Sequence, residues 1–393
     1  MRIGIIGGGP GGAVAAATLA RAGIAVDVYE REVFPRFHIG ESLLPCNMPI
    51  YQAIGLDHAA FKAKDYTPKL AAFFEQVGTG RICRFPFADA LAGDPAGIYQ
   101  VERARFDHML LEHAVASGAT LRCPATVTRI DLDAARPVVH HDRGEDAYDF
   151  VLDASGRDTL IARQLGLIDR EGDLMRAAVY GHISDLPLVP GAQAGDIVIS
   201  KCAEGWSWQI PLEPRKWSVG LVLKREVVIK GGAPGDVFRN NLVFFPELAQ
   251  RLDGQVPDPA RSTPNITYRV RERLGRRWAL IGDAGGFVDP IFSSGVLLAT
   301  RAGWRAANEL IAGGPGADLS HWKQQTDHDL AAFTAFIRLW YDGHFIDNLF
   351  FSDLREDSVY RGIISMLAGN TTNADNAFVA MLMRRVKGRS AAG

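Results

Sequence analysis

The sequence has few cysteines, no excess of charge of either sign and no long apolar run. Its 393 residues include four cysteines, far apart and without a CxxC pair, which argues against a zinc site and a disulfide framework and fits a reducing cytoplasm. Lys plus Arg (43) nearly balance Asp plus Glu (45), so the totals give no electrostatic footprint for nucleic acid or an anionic membrane. No run approaches the roughly 18 apolar residues of a membrane span, and the apolar start lacks the features of a signal peptide. We therefore expect a soluble cytoplasmic protein, mature from Met1, without a metal site, whose ligands bind in pockets.

The first 30 residues are typical of a dinucleotide-binding unit. A short apolar strand over residues 2–6 leads into a turn with Gly7, Gly9 and Gly12 in the G-x-G-x-x-G positions. An alanine-rich helix and a second apolar strand follow, and that strand ends at Glu30. The glycines allow a tight turn and the close approach of a pyrophosphate to the helix N-terminus, and Glu30 can bind a ribose hydroxyl. The register of strand, helix and acid predicts a bound dinucleotide.

Three later segments repeat the alternation of apolar runs with polar turns. Residues 101–107 lead into an apolar helix, residues 153–157 follow an apolar run, and the buried strand 279–281 delivers Gly282 and Asp283. The nucleotide fold is therefore interrupted by long insertions and closed late in the chain. An aspartate after a strand can also simply cap the next helix, and the pattern alone leaves this alternative open.

Two tryptophans flank a single residue in the stretch GWSWQIP, residues 205–211. In a β-strand the period of two places Trp206 and Trp208 on one face, which ordinary packing also explains. The same chain carries the stretch FVDPIFSSG at residues 287–295. Together with the N-terminal fingerprint, these stretches resemble the flavin-dependent halogenases, whose marks are a WxWxIP box and an F-x-D-P-x-x-S-x-G box.

This resemblance implies an α/β fold of the glutathione-reductase type: an FAD-binding Rossmann-like domain with an inserted antiparallel substrate-side sheet and a helical C-terminal segment. It also implies FAD as the cofactor, with Asp283 at the ribityl chain and Arg103 and Gly282 at the same site. The aromatic residues after position 319 are either helix core or the roof of an aromatic pocket. The expected boundaries are 1–65, 100–170 and 272–315 for the FAD domain, 66–99 and 171–271 for the sheet domain, 316–386 for the helical cover and 387–393 for a tail.

A lysine follows the sequence GESLLP, residues 40–45, by about 25 residues. Halogenases of the phenol and carrier-tethered branch place a catalytic lysine at this spacing, where it hydrogen-bonds hypohalous acid or forms a haloamine. The resemblance implies this role for Lys69, although Leu70 and Ala71 replace the family's commoner proline or glycine neighbours. The alternative interpretation is an ordinary surface lysine.

The late box predicts a halide site. A turn at Ser293, Ser294 and Gly295 precedes an apolar helix, and backbone amides at a helix N-terminus favour an anion. By resemblance the amides of Ser294 and Gly295 hold chloride or bromide. Tryptophan halogenases have a glutamate where this chain has Phe292, so we expect a phenol, a pyrrole or an aromatic group tethered to a carrier protein or peptide as substrate.

The resemblance gives Trp206 and Trp208 the role of crowding the space beside the flavin, which favours halogenation over hydroxylation. No second nucleotide fingerprint with a following acid occurs, so a separate flavin reductase is expected to supply reduced FAD. Two alternatives remain from the sequence. One is an FAD-dependent monooxygenase that hydroxylates an aromatic small molecule or an aromatic side chain in a peptide, and the other is a non-catalytic flavin- or NAD-binding protein.

Overall fold

Six strands form the sheet that begins near the N-terminus. The computed structural model describes residues 1–169, 175–264, 267–351 and 356–390. The order across the sheet is β19 (Leu274–Gly275), β20 (Trp278–Leu280), β11 (Phe150–Asp153), β1 (Arg2–Ile6), β2 (Ala25–Tyr29) and β7 (Thr120–Arg122). Neighbouring strands are parallel except for β19 with β20. The segments that follow β1, β2 and β11 therefore meet at one edge of the sheet, where ligands of such sheets bind.

Helix α1 (Pro10–Arg21) packs against α4 (Arg103–Ala116) and α9 (Ser294–Gly313) beside this sheet. The helix begins at Pro10, ahead of the alanine-rich run, because proline is suited to the first helical turn. Its small residues let α9 approach closely: a Cβ atom on Gly303 would lie 2.4 Å from the carbonyl oxygen of Gly11. This packing brings the N-terminal ends of α1 and α9 to the same cavity.

A seven-stranded sheet forms a second layer. Its order is β17 (Arg261–Thr263), β13 (Arg176–Ser184), β16 (Lys216–Lys224), β15 (Gly205–Glu213), β14 (Ile197–Lys201), β4 (Ala71–Gln76) and β5 (Arg81–Pro86). The strands are antiparallel except for β14 with β4. One face packs on three short helices, which are α6 (Arg225–Lys230), α7 (Pro234–Asn241) and α8 (Pro246–Leu252). The other face turns towards the first sheet, so that β15 is buried on both sides.

Shorter elements connect the two layers. The strands are β3 (Thr67–Lys69) with β6 (Ile98–Gln100), β8 (Val127–Asp131) with β9 (Val138–His141) and β10 (Gly144–Ala147), and β12 (Ile168–Asp169) with β18 (Tyr268–Val270) and β21 (Gly286–Phe287). The helices are α2 (Met48–Ala53), α3 (His58–Lys62) and α5 (Leu160–Gln164). The pair of β3 and β6 also contacts β15, which places residues 67–69 beside the tryptophan strand.

In the described part of the chain after α9, four α-helices cover the core. They are α10 (Ser320–Tyr341), α11 (His344–Phe351), α12 (Asp357–Ala368) and α13 (Ala377–Ser390). Phe336, Trp340 and Phe350 are buried among other aromatic rings, and Phe292 stacks on Phe336 with 3.8 Å between ring centroids. These four residues are therefore core. Of the predicted tail, residues 391–393 lie outside the described part of the chain.

Membrane-spanning helices and metal-binding clusters are both absent from the described residues. None of the helices in this part of the chain combines the length and the apolar character that a membrane crossing requires. Nor does the same part of the chain place three or more His, Cys, Asp or Glu side chains together where they could hold a metal ion.

Candidate active site

A long cavity runs from the carboxyl edge of the parallel sheet to the inner face of the seven-stranded sheet. Eight of the residues predicted for the site line it, namely Gly7, Gly9, Glu30, Arg103, Trp206, Trp208, Asp283 and Gly295. Gly282 and Ser294 line a small adjoining cavity that shares Asp283 and Gly295 with the large one. Gly12 and Lys69 line neither. The structure thus gathers residues that lie up to 288 positions apart in the sequence, from Gly7 to Gly295, around one space.

The three fingerprint glycines serve different physical needs. Gly7 has a φ of +101°, and a Cβ atom there would lie 2.3 Å from the carbonyl oxygen of Ala154. A Cβ atom on Gly12 would lie 2.0 Å from the carbonyl oxygen of Gly7. Gly9 is different, because the nearest atom to a Cβ there is a guanidinium nitrogen of Arg36 at 3.8 Å. Gly12 is therefore required by the turn itself, and Gly7 by its positive φ and by the approach of Ala154, whereas Gly9 leaves free space on the cavity side.

Glu30 is held in place by the backbone around the turn. One carboxylate oxygen accepts a hydrogen bond from the Gly8 amide at 2.8 Å, and the other accepts one from the Glu32 amide at 2.8 Å. Each oxygen keeps a further lone pair on a side chain that lines the cavity. The carboxylate is thus oriented in advance and remains able to accept hydroxyl groups from a ligand.

Arg103 belongs to a buried ion cluster beneath the segment that follows β2. Its guanidinium group donates to both carboxylate oxygens of Asp107, at 2.6 and 2.9 Å, and to the carbonyl oxygen of Ile39 at 2.8 Å. Arg36 donates to the same carboxylate at 2.9 Å. Burial alone would raise the pKa of Asp107, but the two guanidinium groups hold it below its usual value. The cluster fixes Arg36 and Arg103, two cations in the cavity wall.

Asp283 lies inside the short 3-10 helix Gly282–Gly285, next to β20. The residue that begins this helix makes no side-chain cap, and the Asp283 carbonyl oxygen accepts a hydrogen bond from Tyr268 at 2.7 Å. The alternative of a simple helix cap is therefore not what the geometry shows. Burial raises the pKa of the Asp283 carboxyl to about 6, with Arg157 and Arg103 opposing the rise. The half-buried residue lines the cavity.

The two tryptophans of β15 form the wall at the far end of the cavity. Their ring centroids are 5.8 Å apart, and both side chains are at least nine-tenths buried. The Trp208 indole donates to the Ser218 hydroxyl at 3.1 Å and lies over Gly220, where a Cβ atom would come within 2.3 Å of the ring. The Trp206 indole donates to the Tyr341 hydroxyl at 2.9 Å. The strand therefore presents two fixed aromatic faces to the cavity.

The predicted halide turn opens onto the same end. Ser293 adopts the left-handed conformation at φ 56°, and α9 begins with the next residue. The amides of Ser294 and Gly295 lie in the first helical turn, where backbone N–H groups have no partner within the helix. Gly295 lines the cavity, and the Ser294 side chain lines the small adjoining one. The turn can therefore present two amide donors to an anion at this end.

Lys69 is not a surface lysine: its exposed fraction is 1%. The ammonium nitrogen donates to the carbonyl oxygen of Leu43 at 2.8 Å and lies 5.4 Å from the centre of the Phe87 ring. Burial lowers the pKa of Lys69 to about 7, and the charge of Asp196 opposes this shift only in part. Lys69 does not line the large cavity. It contacts Leu43, whose neighbour in the chain, Ser42, does line it.

Sequence reasoning did not single out Tyr341, Asp289 or Ser42 as separate site residues. Tyr341 ends α10, far from every motif in the sequence, so no local signal could have identified it. Asp289 lies inside the F-x-D-P-x-x-S-x-G box and Ser42 inside the GESLLP stretch, and their burial is the additional signal. The Ser42 hydroxyl is buried at the cavity wall without a hydrogen-bond partner, as expected of a group that meets a ligand.

These features fit FAD. The cavity is elongated, carries open space at Gly9 beside the N-terminus of α1, and has a preoriented carboxylate at Glu30. Further along it holds Asp283 and then an apolar and aromatic end at Trp206. The open space at Gly9 suits a pyrophosphate and the Glu30 carboxylate suits a ribose, while Asp283 suits a polyol chain and the aromatic end suits a flat ring system.

Comparisons with known proteins agree with this geometry. The family model of tryptophan halogenases matches residues 2–98 and 92–368. The chain is 28% identical to 1H-pyrrole-2-carbonyl-(peptidyl-carrier protein) chlorinase of Pseudomonas fluorescens, in an alignment that covers 97% of this chain and 92% of the relative. It is 30% identical to tryptophan 2-halogenase of Chondromyces crocatus, over 87% of this chain but only 65% of that longer relative.

Two solved structures extend the likeness to the whole fold. A flavoprotein/dehydrogenase from Cytophaga hutchinsonii has a TM-score of 0.89 and 28% identity, over 97% of this chain and 96% of that one. The flavin-dependent brominase Bmp2 has a TM-score of 0.88 and 25% identity, over all of both chains. The fold expected from the sequence, a Rossmann-like α/β unit with an inserted sheet and a helical C-terminal region, is confirmed.

Proposed function

Since this chain belongs to the tryptophan halogenase family, we propose that it converts reduced FAD, O2 and a halide into hypohalous acid and uses this to halogenate an electron-rich aromatic substrate. The chain is a flavin-dependent oxidoreductase, and FAD is its cofactor. The observation that best supports the proposed reaction is the burial of Lys69. This lysine is buried, contacts no carboxylate among the residues that the structure describes, and donates a hydrogen bond to Leu43, next to Ser42 in the cavity wall.

The two ends of the cavity would then have separate tasks. Gly9, Glu30 and Arg103 hold the nucleotide part of FAD, and Asp283 binds the polyol chain. Trp206 and Trp208 crowd the reactive end, which excludes an organic substrate from the flavin but admits a small ion. The amides of Ser294 and Gly295 hold the chloride or bromide at a helix N-terminus.

Lys69 would receive the oxidised halogen on the substrate side. A lysine whose pKa is about 7 exists in comparable amounts as ammonium and as free amine at neutral pH. The free amine has a lone pair that can take a halogen from hypohalous acid, with loss of water, and pass it to an aromatic carbon, which then releases a proton. Full burial keeps bulk water away from this nitrogen and so limits the escape of the oxidant.

We expect a phenol, a pyrrole or an aromatic acyl group tethered to a carrier protein or peptide as the substrate. The alignment that spans 92% of a carrier-dependent pyrrole chlorinase supports this class. Phe292 also supports it, because this residue is stacked against Phe336 and offers no carboxylate to an indole N–H group. We further propose a separate flavin reductase as the electron source and a cytoplasmic location.

The test is a reaction of purified protein with FAD, a flavin reductase, NADH and bromide, followed by mass spectrometry against a panel of phenols and pyrroles. The isotope doublet of bromine marks a halogenated product. Lys69→Ala should bind FAD like the wild type but lose roughly a thousandfold in product, which corresponds to about 4 kcal/mol. Lys69→Arg should not restore it, since a guanidinium group stays charged.

The matched control is Lys64→Ala, which removes an exposed lysine from the same region. A hydroxylated product that forms without halide would identify the monooxygenase instead. Protein that retains no flavin would identify the non-catalytic alternative. Near-normal product from Lys69→Ala would also contradict the proposal.

A further inference from the structure

Trp206 and Trp208 are adjacent in the cavity wall but are anchored in different ways. Trp208 is fixed within its own sheet, by the Ser218 hydroxyl and by the space above Gly220. Trp206 is fixed by a residue outside the sheet, because its indole donates to the hydroxyl of Tyr341, the last residue of α10. The orientation of one tryptophan therefore depends on the sheet, and that of the other depends on the C-terminal helices.

The hydrogen bonds at Tyr341 run in one direction. An indole N–H group can only donate, so the Tyr341 oxygen accepts from Trp206 and must donate its own proton elsewhere. It donates to a carboxylate oxygen of Asp289 at 2.6 Å, and the other oxygen of Asp289 accepts from the Ile291 amide at 3.1 Å. Burial and the neighbouring carboxylate raise the pKa of Tyr341 well above its usual value, so the phenol keeps this proton.

The two ends of this chain of hydrogen bonds lie in the cavity wall, whereas its middle does not. Trp206 and Ile291 line the cavity, but Tyr341 and Asp289 are not among the lining residues. Asp289 is fully buried and begins the turn from which α9 starts. Tyr341 thus connects Trp206 to the turn before Ser294 through hydrogen bonds that lie behind the cavity wall.

The charges around Tyr341 favour this arrangement. The Arg176 guanidinium lies 4.7 Å from the centre of the phenol ring. Burial raises the pKa of Asp289 to about 6, and the Tyr341 hydroxyl, the Ile291 amide and Arg176 oppose the rise. Lys201, the cross-strand neighbour of Trp206, is in turn bonded to Asp347 of α11. Two neighbouring side chains of the inner sheet face are therefore held by the C-terminal helices.

We propose that Tyr341 is a positioning residue that holds the Trp206 indole against the flavin end of the cavity and locks it to the Asp289 turn. The expected effect on the reaction rests on the proposed function, whereas the hydrogen bonds at Tyr341 do not. Without the phenol hydroxyl, the Trp206 indole loses this acceptor and is left with the Asp289 carboxylate, whereas Trp208 keeps the Ser218 hydroxyl. The space beside the flavin then widens on one side only.

The test labels the seven tryptophans with 5-fluorotryptophan and records 19F NMR spectra with and without FAD. Trp206→Phe and Trp208→Phe assign the two signals. Tyr341→Phe should shift or broaden the Trp206 signal and leave the Trp208 signal in place, whereas Ser218→Ala should do the reverse. Unchanged Trp206 signals in Tyr341→Phe, in both states, would overturn the proposal.

A second variant guards against misfolding of the first. Asp289→Asn keeps an acceptor for the phenol but removes the charge, so it should move the Trp206 signal by less than Tyr341→Phe does. Equal movement of both tryptophan signals in the two variants would contradict the proposal, because it would indicate general loosening. These spectra need no turnover, so they stand whether or not the chain halogenates.

The consequence for the proposed reaction is measured separately. Tyr341→Phe should lower the amount of halogenated product per O2 consumed by about fivefold, the effect of losing one hydrogen bond of about 1 kcal/mol. The lost oxidising equivalents should appear as hydrogen peroxide, while the affinity for FAD is retained. If no halogenated product forms even in the wild type while the spectra change as expected, the proposed function fails and the positioning role holds.

Discussion

The nucleotide end of the cavity is formed mainly by a backbone turn, whereas the reactive end is formed by side chains. At the nucleotide end, Gly7, Gly9 and Gly12 shape a backbone turn within six residues, and a single carboxylate at Glu30 is held by two amides. At the reactive end, side chains from distant segments meet: Trp206, Tyr341 and Lys69 come from three different parts of the chain. The glycine turn of one end is therefore formed mostly by residues that are close in the sequence, whereas the other end depends on contacts between distant segments.

The largest expected effect concerns the glycines of the nucleotide end. A Cβ atom on Gly12 would lie 2.0 Å from the Gly7 carbonyl oxygen, so Gly12→Ala must distort the turn and should abolish flavin retention. Gly9→Ala meets no protein atom within 3.8 Å, so it should fold normally and weaken FAD only through contact with the ligand. Fluorescence titration with FAD, together with circular dichroism, measures both.

If Gly12→Ala retained flavin at wild-type affinity, the turn would not be the binding element. Equal loss of folded structure in both variants would show that Gly9 also serves the fold. Either result would show that Gly9 and Gly12 do not differ in role, one serving the ligand and the other the turn.

The second prediction tests the cost of burying Lys69 at the other end. Its pKa is about 7 in the folded chain and about 10.4 in an unfolded one. Below pH 7 the amine is protonated in both the folded and the unfolded chain, so the full cost of burying the charge lowers the stability. Between pH 7 and about 10.4 the unfolded chain binds more protons than the folded one, so the free energy of unfolding rises with pH. Relative to Lys69→Met, the wild type should therefore gain roughly 3 kcal/mol between pH 7 and pH 10.

Urea unfolding of both proteins at several pH values measures this difference, and the subtraction removes titrations that the two share. Within the described residues, the charged group that acts on Lys69 is Asp196, which is itself paired with Arg84 at 2.7 Å. A difference between wild type and variant that stayed constant from pH 7 to pH 10 would mean that the buried amine titrates normally.

The sequence predicts the nucleotide end far better than the reactive end, for a physical reason. A turn such as that around Gly7 is specified by neighbours in the chain, so its fingerprint also predicted the strand and helix beside it. The bond from Trp206 to Tyr341 joins residues 135 positions apart, and Lys69 is buried against Leu43, 26 positions away; local patterns encode neither contact. The predicted domain boundaries and the roles of the site residues stay predictions.

The smallest expected effect decides what form of Lys69 acts. As a free amine that accepts the halogen, Lys69 should become more effective as pH rises through about 7, and the neutral fraction increases about tenfold between pH 6 and pH 8. As an ammonium group that hydrogen-bonds hypohalous acid, it should become less effective over the same interval. The geometry favours the amine, because burial lowers the pKa and the single hydrogen bond of the nitrogen goes to a neutral carbonyl oxygen, that of Leu43.

We therefore expect the ratio of halogenated product to released peroxide to rise about tenfold from pH 6 to pH 8. Effects of pH on flavin reduction cancel in this ratio. In Lys69→Ala the ratio should be low and flat. A ratio that fell with rising pH in the wild type would assign the hydrogen-bonding role to the ammonium form and leave the nucleotide end of the cavity unaffected.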